Sequence, residues 1–174
     1  AEDIGLLTPA FAREVLRVQY NAILLGLYKT HNVTVNGKTV VPWQILEEKI
    51  DKRKDFRFRQ DGNWVRGFLI KSKEPIPEKY QGPFVVVLGK TVTQEWFRQY
   101  PINSEMFHGL ILADYLIDIL RTSKSDFERT SMKWRQFHNR VGRILATWID
   151  ELGERPVTQV IPTTLDKMSR EVEK

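Results

Sequence analysis

Apolar residues recur at helical spacing at both ends of this chain, and alternate or run together in its middle. Phe11, Val15, Val18, Ala22 and Leu25 repeat every three or four positions, and Leu16, Ile23, Leu24 and Leu27 widen the stripe. Thr8-Pro9 precedes them, a hydroxyl at the N-cap and then a proline where its missing N–H costs nothing. The spacing predicts a first helix over about 8–30, closed by His31-Asn32. Val33-Thr34-Val35 and Lys38-Thr39-Val40 then flank Asn36-Gly37, a pair that tolerates the positive φ of a tight hairpin turn. Pro42 opens a short predicted helix to Ile50, with Trp43, Ile45, Leu46 and Ile50 turned inward.

Clean alternation begins at Phe56-Arg57-Phe58-Arg59 and returns after Asp61-Gly62. Trp64, Arg66, Phe68 and Ile70 fall on one face of the returning strand, and Val65, Gly67 and Leu69 on the other, so 56–70 is a second hairpin. Phe84 to Leu88 reads as a buried strand. From residue 93 onward the spacing predicts helices. One runs from Thr93 to Tyr100, and Pro101 stops it. A second runs over 104–120, capped by Ser104. A third covers about 126–152 through Trp134, Phe137, Val141, Ile144, Leu145, Trp148, Ile149 and Leu152. Gly153 ends that helix, residues from Pro156 to Pro162 are extended, and Thr164 caps a polar terminal helix.

These elements predict an α+β, mostly helical fold: an N-terminal helix, two β-hairpins and a C-terminal helical part. A single compact domain over 1–174 is expected, with possible lobes at 1–90 and 91–174. The helix at 42–50, the basic connector after it and the hairpin at 56–70 follow the order found in winged-helix domains. The resemblance is architectural, and it implies DNA binding with the hairpin as the wing. A standard winged helix has two helices between its first strand and its wing. Residues 51–55 are too few for a recognition helix, unless 42–50 is itself that element. A small α+β fold outside that group is the competing reading.

Charge changes this picture most. The formal net charge is +5, and the positive excess sits in two stretches. Lys49 to Lys79 holds ten Lys/Arg against five Asp/Glu, and Arg121 to Arg143 holds seven against two. Aromatics are interleaved at Phe56, Phe58, Trp64 and Trp134, the composition of a polyanion-binding surface. In the first stretch Lys52, Arg53, Lys54, Arg57 and Arg59 are the candidate contacts. Arg57 and Arg59 project from one strand face, which turns Phe56 and Phe58 to the core. A solvated edge kept soluble by arginines is the bland alternative. In the second, Lys133, Arg135, Arg140 and Arg143 leave the apolar stripe of the long helix together with Gln136 and Asn139. Trp134 lies on that stripe and is expected to pack in the core.

Other chemistry is thin. The chain has no cysteine, which removes disulfides, thiol catalysis and cysteine-held metals, and it fits a reducing, cytoplasmic location. Neither a signal peptide nor a membrane span is read from it. Gly89-Lys90-Thr91 resembles the end of a phosphate-binding loop, but the first glycine of that motif is missing. Leu88 stands where a strand-end nuclease would carry an acid. Glu105 and His108 share a helical face without a second such pair, and Asp114 and Asp118 read as a solvated face. No cofactor and no metal are expected.

The function expected from these residues is non-catalytic binding of nucleic acid, DNA more than RNA, through phosphates. A protein-interaction or assembly subunit is the first alternative, docking through Trp64 and Phe68 or through the face at 104–120. An enzyme using Asp114, His108 or Tyr115 is the second. A second copy of the chain is a possible partner, and a membrane is not.

Overall fold

The computed structural model describes residues 8–29 and 32–156. His31 and the terminal helix predicted after Thr164 lie outside these residues, as does most of the extended segment 156–162. Among the described residues two α-helices, α1 (Pro9–Leu24) and α2 (Met132–Glu151), are joined by seven strands: β1 (Thr34–Val35), β2 (Lys38–Thr39), β3 (Ile50–Gln60), β4 (Asn63–Ser72), β5 (Gly82–Val87), β6 (Lys90–Gln94) and β7 (Phe107–Leu112). β1 and β2 form a small hairpin, and the other five strands form a mixed sheet in the order β3-β4-β7-β5-β6. β5 and β7 are parallel, and every other pairing is antiparallel.

The prediction of a mostly helical protein is therefore wrong: a five-stranded sheet sits between the two helices and organises the fold. The winged-helix reading falls with it. Residues 51–55 belong to β3, which pairs with β4 from Ile50 onward, so the wing's upstream neighbour is a strand and no recognition helix precedes it. The helix predicted at 42–50 is absent too. Asn21 is buried on α1, and its side-chain amide donates to the Trp43 carbonyl at 2.8 Å while its oxygen accepts from the Trp43 N–H at 2.9 Å. That clamp holds extended backbone, and the Trp43 ring stacks on Tyr80 at 4.1 Å. Only Glu47–Lys49 makes a single 3₁₀ turn.

The helix predicted at 104–120 is instead a 3₁₀ turn, strand β7 and a second 3₁₀ segment, Asp114–Ile119. All six residues of β7 are buried, because the strand lies at the centre of the sheet and is covered on both faces. Such a strand reads as a continuous apolar run, which periodicity alone does not separate from a helix. Residues 93–94 complete β6, and the predicted helix at 93–100 is replaced by a turn.

Other elements form where the sequence puts them. Thr8 caps α1 by accepting from the Phe11 N–H, and Asn36-Gly37 and Asp61-Gly62 turn with positive φ. Leu88-Gly89 turns β5 into β6 with φ of 49° and 85°, so Gly89-Lys90-Thr91 is a hairpin. Alternation along the strands divides the core in two. Phe58, Val65, Leu69, Val85 and Ile111 pack under α2 against Phe137, Val141, Leu145 and Trp148. Phe68, Ile70, Val86 and Leu110 pack on the other face with Ala22 of α1 and the segment after it. Trp134 is buried and stacks on Phe127 at 4.9 Å, the core role its position implies. No described helix is long and apolar enough to cross a membrane.

Candidate nucleic-acid interface

β3 is one of the two outer strands of the sheet, and α2 meets it through Arg140. The polar face of α2 is set by its packing: Trp134, Phe137, Val141, Leu145 and Trp148 point down, which leaves Arg135, Gln136, Asn139 and Arg143 exposed. Arg140 leans over the sheet edge. Its guanidinium donates to the Arg59 carbonyl at 2.7 Å and to Gln60 Oε1 at 3.3 Å, and it lies 4.3 Å from the Phe58 ring centre. Gln60 and Asn63 flank a two-residue turn, so the backbone groups of residue 59 point away from β4. Arg140 thus caps a carbonyl that the open edge would otherwise leave to solvent.

This contact joins the two basic stretches. Between them lies a cleft of about 690 Å³, lined by Arg57, Phe58, Gln60, Gln136, Asn139, Arg140, Arg143 and Ile144, with no carboxylate among them. On the other flank of α2 a second cleft, of about 820 Å³, includes Arg98, Tyr100, Arg129, Arg135, Asn139 and Arg143 in its walls. Its one carboxylate, Glu95, is already engaged. It accepts from the Phe97 N–H at 3.0 Å and from Arg129 at 2.6 Å, and His138 Nε2 stands 3.7 Å away.

The nine predicted contacts divide. Arg57, Arg140 and Arg143 line the edge cleft, and Arg135 and Arg143 line the second. Arg59 meets Arg140 only through its backbone; its side chain faces the side of the sheet away from α2, 4.5 Å from the ring of Trp64. Arg57 also lies 5.5 Å from that ring, and it lines a further cavity on that face with Arg53 and Arg66, so it spans the edge. Arg53 is paired to Asp55 at 3.0 Å. Lys52 and Lys54, without an ion pair among the described residues, sit toward the end of β3 where Lys71 meets Glu154. Lys133 turns away from the clefts. It pairs with Asp118 at 2.6 Å and donates to the Tyr115 carbonyl; Asp118 is exposed, and the Lys133 ammonium holds its carboxyl below the usual range.

Arg98, Tyr100 and Gln60 were not foreseen. Gln60 follows the arginine pattern by one residue and was within reach of the sequence. Arg98 was not, because its place depends on a turn that Glu95 folds from a distance of three residues or less.

Two of the remaining titratable candidates, His108 and Asp114, are engaged in holding the fold. His108 is buried, its Nδ1 lies 2.7 Å from the Tyr80 carbonyl, and its ring meets Trp43 edge-on. Burial pushes its pKa down to about 4, against the smaller opposing effect of that carbonyl. Asp114 accepts from Tyr28 Oη and from the Leu88 N–H, each at 2.7 Å, which fixes the Leu88-Gly89 turn. Among the described residues no group of three or more His, Cys, Asp or Glu is placed to hold a metal ion. No protein-family model matches the chain, and no curated protein matches it in sequence.

Proposed function

We propose that this protein binds nucleic acid, DNA in preference to RNA, through phosphate contacts along α2 and the adjoining edge of β3, and without catalysis. The observation that carries the reading is the edge cleft. Four positions of α2 and two of β3 give it three arginines and three amides, and no carboxylate neutralises them.

The charge order of α2 supports the same reading. A helix is positive at its N-terminal end and favours acids there and bases at its C-terminal end, by about 0.3–1 kcal/mol each. α2 does the opposite: its first turn has no acid and its last turn no base. Near its start Arg135 is exposed with no ion pair among the described residues, whereas Lys133 is paired to Asp118 and, at the other end, Asp150 to Arg155. Arg135 is thus a cation that the positive end of α2 does not itself favour, as a surface kept for an anionic ligand would carry.

The test is binding of the full chain to fluorescently labelled DNA duplex, single-stranded DNA and RNA at 50 and 200 mM salt. Affinity should fall steeply between the two. Binding that ignores salt, or no binding to any of the three, refutes phosphate contact. A second reading, a protein-docking subunit, is favoured by Trp64, which is 51% exposed on the β3–β4 hairpin. It predicts that Trp64→Ala abolishes association with a protein partner and leaves nucleic-acid affinity unchanged.

A further inference from the structure

We propose that the ligand is duplex DNA, with α2 lying in the major groove and one phosphate strand in each flanking cleft, the second strand being held by Arg98. The proposal rests on the nucleic-acid reading above and deepens it. Asn139 and Arg143 line both clefts, so the exposed face of α2 is a ridge with a cationic trough on either side. A helix with its side chains is about 10–12 Å across, and the B-form major groove is about 12 Å wide with a phosphate strand on each rim. A ridge of that size between two cationic troughs matches this shape. Gln136 and Asn139 at the crest carry the amides that can pair with adenine edges, and a methyl group on guanine N7 projects into the groove where that crest would lie. A single strand needs only one trough. Double-stranded RNA has a major groove too deep and narrow for a helix to read.

The turn that carries Arg98 is built under strain. Phe97 and Arg98 are consecutive non-glycine residues in the left-handed region, with φ of 54° and 60°. The surroundings enforce this conformation. Phe97 is buried, its N–H is held by Glu95, and its ring packs edge-on against Phe137 of α2 at 5.7 Å. The strain is local, and its result is a guanidinium at the rim of the trough with no ion pair among the described residues. Strain held in place by several neighbours is characteristic of functional sites.

The test uses the full chain with Arg98→Gln, which removes the charge, and Arg98→Gly, which also relieves the backbone. Ligands are a mixed-sequence 20-base-pair DNA duplex, either of its strands alone, the same duplex as RNA, and the DNA duplex methylated at guanine N7. The unmodified DNA duplex should bind tightest, and N7 methylation should weaken it. Both variants should flatten the dependence of log affinity on log salt by about 0.9, the loss of one phosphate contact. Arg98→Gly should melt at or above the parent temperature, so its weaker binding will not reflect unfolding. Single strands or RNA duplex binding as tightly as DNA duplex, indifference to N7 methylation, or an unchanged salt slope in both variants overturns the proposal and leaves general nucleic-acid binding standing. Absence of binding to every ligand overturns both.

Discussion

Replacing Arg135 and Arg143 together by glutamine separates phosphate contact from a merely solvated helix face. Arg135 is exposed and donates to the Thr130 carbonyl at 2.9 Å, and Arg143 makes only a long contact to the Asn139 carbonyl at 3.4 Å. Removing the Arg135 cation from the positive end of α2 returns about 0.3–1 kcal/mol, which offsets the loss of one exposed hydrogen bond of roughly 0.5–1 kcal/mol. The melting temperature should therefore move by no more than about 2 °C in a chain of this length. Binding should change far more. If Arg57, Arg98, Arg135, Arg140 and Arg143 each meet a phosphate, the slope of log affinity against log salt is about −4.5, and the double variant should show about −2.7. Between 50 and 200 mM salt the parent should lose about 500-fold in affinity and the variant about 40-fold. Fluorescence anisotropy on a labelled duplex across five salt concentrations, with circular dichroism melts alongside, measures both quantities. A variant that melts like the parent and keeps its slope would falsify the assignment of α2 as the phosphate-binding face.

Two further predictions concern the frame that holds this face. His108 is neutral in the fold down to about pH 4, while in the unfolded chain it takes up a proton near pH 6.5. The unfolded state then binds more protons between those values, so stability should fall as pH drops from 6.5 to 4, by up to about 3 kcal/mol from this residue. Urea melts at pH 7, 5.5 and 4.5 on the parent and on His108→Gln should show the variant with the flatter profile, and equal slopes would exclude His108 as the cause. Glu154 is buried just beyond α2, which by itself disfavours its charge. Lys71 at 2.9 Å and the Asn103 N–H and side-chain amide, each at 3.1 Å, hold its carboxyl below the usual range all the same. Its contribution is present above the ordinary glutamate pKa and is lost as pH falls through the depressed one. Glu154→Gln should cost about 1.5–3 kcal/mol at neutral pH, because Lys71 loses its buried partner and keeps only Asp51 at 3.7 Å, and the variant should lose less on acidification than the parent. A neutral-pH cost below that of a surface substitution would refute the clamp.

The local signals in the sequence were dependable where the cause was local. Thr8-Pro9, Asn36-Gly37, Asp61-Gly62 and the apolar stripe of α2 all act within a few residues of themselves, and each is found where it points. Misreadings arose where distant residues decide. Phe107 to Leu112 keeps a helix-compatible spacing and becomes a strand because β4 and β5 bond it on both sides. Trp43 is extended because Asn21, twenty-two positions away, fixes both its backbone groups. The candidate interface divides in the same way. Arg140 and Arg143 were visible from the helical period alone. That Arg53 and Arg59 face away from α2 follows only from pairing with β4, and the place of Arg98 only from the turn at Glu95.

The placement of β7 sets the order in which the chain can be completed. The hairpins β3–β4 and β5–β6 close locally, but each keeps an inner edge with unsatisfied amides until residues 107–112 slide between them. On a ribosome that interval spans the synthesis of at least the eighteen residues after Gln94, and in refolding it requires two preformed ribbons to meet around a third. Pairing of this strand with β4 joins positions up to forty-six apart in sequence (Arg66 with Leu112), and non-local pairing of that kind is intrinsically slow and aggregation-exposed. A side chain at Gly109 would bring its Cβ to 2.6 Å from the Phe68 carbonyl oxygen, so Gly109→Ala should lower yield and melting temperature together.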